Sequence, residues 1–494
     1  MISRRHFLHS AAASGALLGL NELRLPRVSA ADAVLPSDAV RLDSGIEPMV
    51  RLIEETPRER LLEEIGARIR KGLAYREVLA GLLLAGVRNI QPRPVGFKFH
   101  AVLVVNSAHL ASLSSPEEDR WLPIFWALDY FKDSQAADAK AGDWTLGPVE
   151  EKAVPSAENA KRAFTGAMDR WDESAADAAV AGLVRSATPQ EIFEIFARYG
   201  ARDFRDIGHK AIYVANSWRT LQVIGWQHAE PVLRSLAYAL LERGGAENPA
   251  ESDLTADRPW RRNLPVVETF RADWTEGKRD ENATKELLSA ARDASDQEIS
   301  KRVVESLGRG TSADAIWDAV FASGAEMTMR RPNILSLHAV TTANALHFAY
   351  RTCRNDNTRR MLLLQAASFM PLFRGGGQLG GEQLDVLEPK AGANNLEAIF
   401  AQIGPDKIGA ARSALAYLRE ARDAKPFIDM ARKLIFLKGN NAHDYKFSSA
   451  VLEDYGHIAS PWRERYLAAT VFLLKGTGAP ENKLVKRTRA ALAA

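Results

Sequence analysis

The feature that most constrains this chain is a phrase written twice. "HAVLVVNSAHL" begins at His100 and "HAVTTANALHF" at His338, with the same spacing of two histidines and the asparagine between them. Looser copies begin at His209, "HKAIYVANSWRTL", and at His443, "HDYKFSSAVLEDY". Each sits in one unit: an amphipathic helix, a short link, a His-headed helix with Asn or Ser, a polar break, and a second apolar helix. The trailing segments are "EEDRWLPIFWALDYF", "EPVLRSLAYALLE", "TRRMLLLQAASFM" and "PWRERYLAATVFLL".

Four such units predict an all-α, internally duplicated helical-repeat domain. The units pair at a higher level. His109 and His347 each follow the heading histidine by nine residues, while His228 and His457 each stand just before the trailing helix. The reading is therefore two halves, from Ser37 to Thr275 and from Glu276 to the C-terminus, in a pseudo-twofold arrangement within one globular domain. Helical spacing elsewhere, as in "TPQEIFEIFARYGARDF" and "RRMLLLQAASFMPLF", agrees, and alternating strand patterns are scarce.

Bulk composition excludes several classes. A formal charge of +3 over 494 residues, with Lys and Arg scattered among Asp and Glu, offers no basic stripe for nucleic acid. No run of about eighteen apolar residues marks a spanning helix. One cysteine, Cys353, excludes an intramolecular disulfide, an iron–sulfur cluster and c-type haem attachment. The glycine-rich "RGGGQLGG" lacks the Lys-Ser/Thr ending of a phosphate loop, and there is no other flavin or nucleotide signal.

Residues 1–30 read as a twin-arginine export signal. "SRRHFL" leads into the weakly apolar "AAASGALLGL", and "VSA" at Val28 to Ala30 offers a small-residue cleavage site. The expected partners are the twin-arginine export machinery and a small-molecule substrate, and the expected location is the periplasm.

All eight histidines outside that segment fall into the unit pairs. Imidazole is the commonest metal-binding side chain and an acid or base near neutral pH. The candidate metal ligands are therefore His100, His109, His209, His228, His338, His347, His443 and His457. Of these, His100, His209, His338 and His443 are the candidate catalytic residues. Asn106, Asn216 and Asn344 are expected to orient rings or cofactor from behind. One geometric limit applies: residues nine apart lie on opposite faces of a helix, so His100 and His109 cannot both point inward.

A His-rich site with few carboxylates suits iron, copper or zinc. The nearby acids Glu230, Asp356, Glu453 and Asp454 have no diagnostic spacing. A metal-free His-lined pocket and a b-type haem held by two histidines remain alternatives.

The segment "GHKAIYVANSWRTLQVIGWQHAEPVLRSLAYALL", Gly208 to Leu241, resembles the questin-oxidase-like family. That resemblance implies a helical fold and a flavin-independent, Baeyer–Villiger type oxygenation, with His100, His209, His338 and His443 as the matching helix-heading histidines. The export signal departs from the fungal members and puts the questin substrate itself in doubt. The functional expectation is an exported oxidoreductase, metal- and oxygen-dependent, acting on a small apolar or aromatic molecule in a His-lined cavity between two helical halves. The competing expectation is a non-catalytic helical scaffold whose histidines merely pack.

Overall fold

A computed structural model describes residues 40, 42, 45–241, 247–375, 379–390, 395–421 and 423–493. The export-signal reading lies outside these residues, as does the middle of the glycine-rich connector. The described chain is all-α, with 72% helix and no strand; a lone parallel bridge joins Lys278 to Thr311.

The helices that build the centre, in chain order, are α1 (Tyr75–Asn89), α2 (His100–Leu103), α3 (Val105–Leu113), α4 (Leu122–Ala141), α5 (Pro189–Gly200), α6 (His209–Ile224), α7 (Ala229–Leu240), α8 (Ala313–Arg330), α9 (Ile334–Thr352), α10 (Asp356–Arg374), α11 (Lys425–Lys438), α12 (Ala442–Asp454) and α13 (Trp462–Thr470). They form four three-helix sets. In each set the leading helix (α1, α5, α8, α11) and the trailing helix (α4, α7, α10, α13) pack on a His-headed helix (α3, α6, α9, α12).

The starts of these helices follow from local chemistry. Thr188 and Glu191 make a reciprocal capping box at α5, and Asn333 and Ser336 do the same at α9. Ser312, Asn355 and Asn441 cap α8, α10 and α12 through their side-chain oxygens.

The four His-headed helices then close on one another. Helix α3 packs against α6, α6 against α9, α9 against α12, and α12 against α3. Helices α6, α9 and α12 carry their histidine near the N-terminal end and α3 follows directly on His100 of α2, so with these histidines together the four run parallel around a shared axis, and the eight flanking helices wrap this inner ring. Apolar residues from both halves form one core, with Val105, Val214, Val340 and Val451 almost fully buried on the inner helices. No described helix is long and apolar enough to cross a membrane.

The first unit departs from one continuous helix. The chain breaks between α2 and α3, and the Leu103 carbonyl, freed from its helical partner, accepts a hydrogen bond of 2.9 Å from Asn216 Nδ2 on α6. That contact stitches the first unit to the second.

The start of α6 is held by a fully buried ion pair. Lys210 Nζ donates to both Asp203 oxygens at 2.9 and 3.0 Å, and neither side chain is solvent-exposed. A charge that loses its only counter-ion in such a place is costly. Asp203→Asn is expected to destabilise the chain by about 3 kcal/mol or more, measured by chemical denaturation; a cost near zero would show that Lys210 reaches water.

Candidate metal centre

The inner ring brings four imidazoles from four units to one point. His209 Nε2 lies 3.0 Å from His100 Nε2 and 2.9 Å from His338 Nε2. The His443 ring centroid is 4.6 Å from that of His100 and 5.3 Å from that of His338. Ligand atoms of His100, His338 and His443 all lie within 4.8 Å of one another.

Main-chain carbonyls decide which nitrogen faces the centre. His100 Nδ1 lies 2.8 Å from Phe97 O, His209 Nδ1 2.6 Å from Asp206 O, and His338 Nδ1 2.7 Å from Ile334 O. A carbonyl oxygen can only accept, so each Nδ1 carries the proton and donates it. Each Nε2 is then left with a bare lone pair.

Burial, reinforced by the nearby Lys446 amine, holds His100, His209 and His338 well below the usual imidazole range. The same causes bring His443 down to about 4. The rings are neutral at pH 7, and lone pairs facing one another at 2.9 and 3.0 Å repel. A cation between them removes that repulsion. Nitrogens about 2.1 Å from an ion and at right angles to each other stand ~3 Å apart, against ~3.4 Å for a tetrahedral pair. The spacing fits adjacent ligands of a six-coordinate ion.

The backbone is strained to make this arrangement. Phe97 has φ 44°, and the run Asp206, Ile207, Gly208 has φ 56°, 49° and 83°. Left-handed backbone costs about 1–2 kcal/mol per non-glycine residue. Phe97 and Asp206 are the residues whose carbonyls orient His100 and His209, so the strain is located where ring positions are set.

Gly208 is needed there for a second reason. A Cβ on it would collide with the Thr342 side chain on α9. Gly208→Ala is expected to cost at least about 2 kcal/mol and to weaken metal binding through His209, checked by thermal melts with and without added metal; an unchanged melting temperature would show that the loop relaxes freely.

Sequence reasoning missed Lys446. It lies on α12, one turn after His443, at the position where the other units carry Leu103, Ile212 and Thr341. Its side chain is fully buried with no hydrogen-bond partner for Nζ, and burial pushes the amine down to about 7. A lysine where the sister units carry leucine, isoleucine or threonine was the available signal.

The other predicted ligands are not brought to the centre. His109 Nδ1 lies 3.0 Å from Tyr75 Oη. His228 stands beside Gln227, its Nε2 3.4 Å from the amide nitrogen. His347 and His457 form a pair with ring centroids 5.0 Å apart, flanked by Trp317 and by Arg351. The physical reason is helical: nine residues along α9 amount to about 13 Å of rise and half a rotation. Of the eight imidazoles, those of His100, His209, His338 and His443 come together, and among the described residues His100, His338 and His443 form a group that could hold an ion.

The asparagines also differ from expectation. Asn216 gives its amide to Leu103 O, and Asn344 Nδ2 donates to Glu453 at 2.9 Å and Asp454 at 2.8 Å. The Nδ1 atoms of His100, His209 and His338 are held by carbonyls instead. Asn106, Asn216 and Asn344 line a cavity inside the ring, together with Arg219, Lys446 and Glu453.

Other candidates resolve as structure. Glu230 pairs with Arg185, and Asp356 accepts from the Trp274 indole. Trp218 packs between Phe193 and Trp226. Cys353 is buried and free, its thiol raised to about 12 by burial. The chain matches no family model, no curated protein sequence and no solved structure.

Proposed function

We propose that this chain is a metal-dependent oxidoreductase whose ion is held by His100, His209, His338 and His443. The observation that carries the reading is the convergence of three Nε2 lone pairs whose Nδ1 atoms are tied to carbonyls. Neutral imidazoles without thiolate suit iron, copper or zinc, and ligand spacing near a right angle favours iron or copper over four-coordinate zinc.

When bound, such an ion supplies Lewis-acid or redox chemistry to a small molecule beside it. The chain's own residues do the rest. The carbonyl-anchored imidazoles fix the ion's position. Lys446, with its amine near 7, takes or gives a proton next to it. The inner ring excludes bulk water. A haem between two of these imidazoles would need them on opposite sides of the porphyrin plane, which neighbouring Nε2 atoms at 2.9 and 3.0 Å do not allow.

Oxygen dependence rests on the resemblance of Gly208 to Leu241 to the questin-oxidase-like family. Export to the periplasm by the twin-arginine route rests on "SRRHFL" and the segment after it, and folding before export suits a chain that takes up its ion in the cytoplasm.

Elemental analysis of protein purified from the exporting host tests the central claim. About one equivalent of iron or copper per chain, with dioxygen uptake in the presence of a reductant, is the expected result. Metal-free protein that neither takes up iron, copper or zinc nor gains stability from them would favour the helical scaffold.

A further inference from the structure

Three of the four imidazoles are anchored and one is not. His100, His209 and His338 donate from Nδ1 to the carbonyls of Phe97, Asp206 and Ile334. On α12, Asn441 accepts from the backbone N–H of His443 and holds its main chain, but among the described residues no hydrogen bond holds its ring. The Nε2 of that ring is buried without a partner. The rings of His100 and His338 meet it only edge to face. Turning any of the three anchored rings out of the centre breaks a hydrogen bond; turning His443 breaks none.

Burial ranks the rings in the same way. His100, His209 and His338 are 6%, 5% and 0% exposed, whereas His443 is half-buried. The surroundings show on which side it meets solvent. One turn below the imidazoles, Leu103, Ile212, Thr341 and Lys446 are buried and close the ring. At the other end, Phe97 and Ile334, whose carbonyls hold His100 and His338, are 76% and 46% exposed. The imidazole layer thus lies one residue beneath the surface at the N-terminal end of the ring helices. Within that layer His443 stands across from His209, because α12 and α6 each pack against both α3 and α9.

We propose that His443 is the exchangeable ligand of this centre: its ring turns out toward the N-terminal end of the ring helices, and a donor atom of a small molecule takes its place on the ion while His100, His209 and His338 stay. This role for His443 rests on the reading of the imidazoles as a metal centre and names the position that reacts. A metal-bound imidazole is normally oriented, and made more basic, by an acceptor on its other nitrogen. Three of these rings have that acceptor, so the ion gives up His443 first. One coordinate bond breaks and another forms, and no electron moves. The space vacated is that of one imidazole ring, which limits the incoming group to a small molecule or the narrow end of a larger one.

Diethyl pyrocarbonate acylates neutral imidazoles that it can reach, so it reads the freedom of each ring in metal-free protein. Peptide mass spectrometry on the unaltered chain at pH 7 is expected to show His443 modified at least about tenfold faster than His100, His209 or His338. A rate at His443 no higher than at those three would overturn the proposal.

In the loaded chain, His443→Gly and His209→Gly are compared. His443→Gly is expected to keep at least about half of the parent's iron or copper, and free imidazole at millimolar concentration to shift the absorption spectrum of that metal as it enters the vacated position. His209→Gly is expected to lose the ion. Loss of metal from His443→Gly as complete as from His209→Gly, or a spectrum indifferent to imidazole, would overturn the exchange. A parent chain that binds no metal would overturn the metal reading and the exchange with it, while fast acylation would still mark His443 as the open ring.

Discussion

His209→Ala removes metal binding and leaves the metal-free fold nearly intact: that is the outcome expected from the geometry. His209 is the imidazole whose Nε2 is shared between His100 and His338. Without it, His100, His338 and His443 still stand within 4.8 Å of one another, but the ligand that lies against two of them is gone, and the metal content is expected to fall from about one equivalent to below a tenth.

The stability consequence separates function from packing. In the metal-free chain, His209 contributes a hydrogen bond to Asp206 O but faces two lone pairs at repulsive distance. Its loss is therefore expected to cost less than the about 2–5 kcal/mol of an ordinary large-to-small core change. In the loaded chain, the stabilisation that an ion confers, about 4 kcal/mol at a thousandfold excess over Kd, disappears with it. His347→Ala is the control: its metal content stays that of the parent. Denaturation with and without metal checks both, and a His209→Ala chain that keeps its metal would remove the centre from this account.

The second large effect is acid sensitivity. Seven buried or half-buried imidazoles, His100, His109, His209, His338, His347, His443 and His457, are held below the ordinary value of 6.5, first by burial and then, where charges stand close, by neighbours such as Lys446, Arg351 or another histidine. The unfolded chain takes up protons at these groups as pH falls below 6.5. The folded chain does not until it reaches the lower values, about 4 for His109 and His443.

Between these limits the unfolded state binds more protons, so stability rises with pH and is lost as pH falls. Each unmatched proton contributes about 1.4 kcal/mol per pH unit. Glu54, Glu77, Asp318 and Asp454, raised by burial, act in the opposite direction, but as four groups against seven. Metal-free protein is expected to lose several kcal/mol between pH 6.5 and 4.5, and bound metal to delay the loss. Urea midpoints across that range test this, and a flat profile would show the imidazoles to be open to water.

The four heading histidines were legible because a spacing recurs in the chain: once His100 and His338 are matched, His209 and His443 follow from looser copies of the same phrase. The exclusion of His109 and His347 from the same centre was also available, from 100° per residue alone. Lys446 was visible only as a mismatch among the four units, and Glu453 only as an acid near a motif. Arg219, three turns down α6, could not be linked to Glu453 on α12, because 234 residues separate them in the chain. Likewise, Asn106, Asn216 and Asn344 looked like partners for imidazole because they share a helix face with histidines. Only the packed ring shows that Asn216 and Asn344 are engaged elsewhere.

What the sequence determined by itself was the helical class and the limit that two histidines nine apart on a helix cannot both point inward, since periodicity and spacing are local properties of a chain. Tertiary structure alone decided that four units close into a parallel ring, that left-handed backbone at Phe97, Asp206 and Ile207 aims carbonyls at Nδ1, and that Arg219 meets Glu453. Those outcomes depend on packing energy outweighing local preference. Ile207 shows it most plainly, because a β-branched residue disfavours positive φ and holds a φ of 49° here.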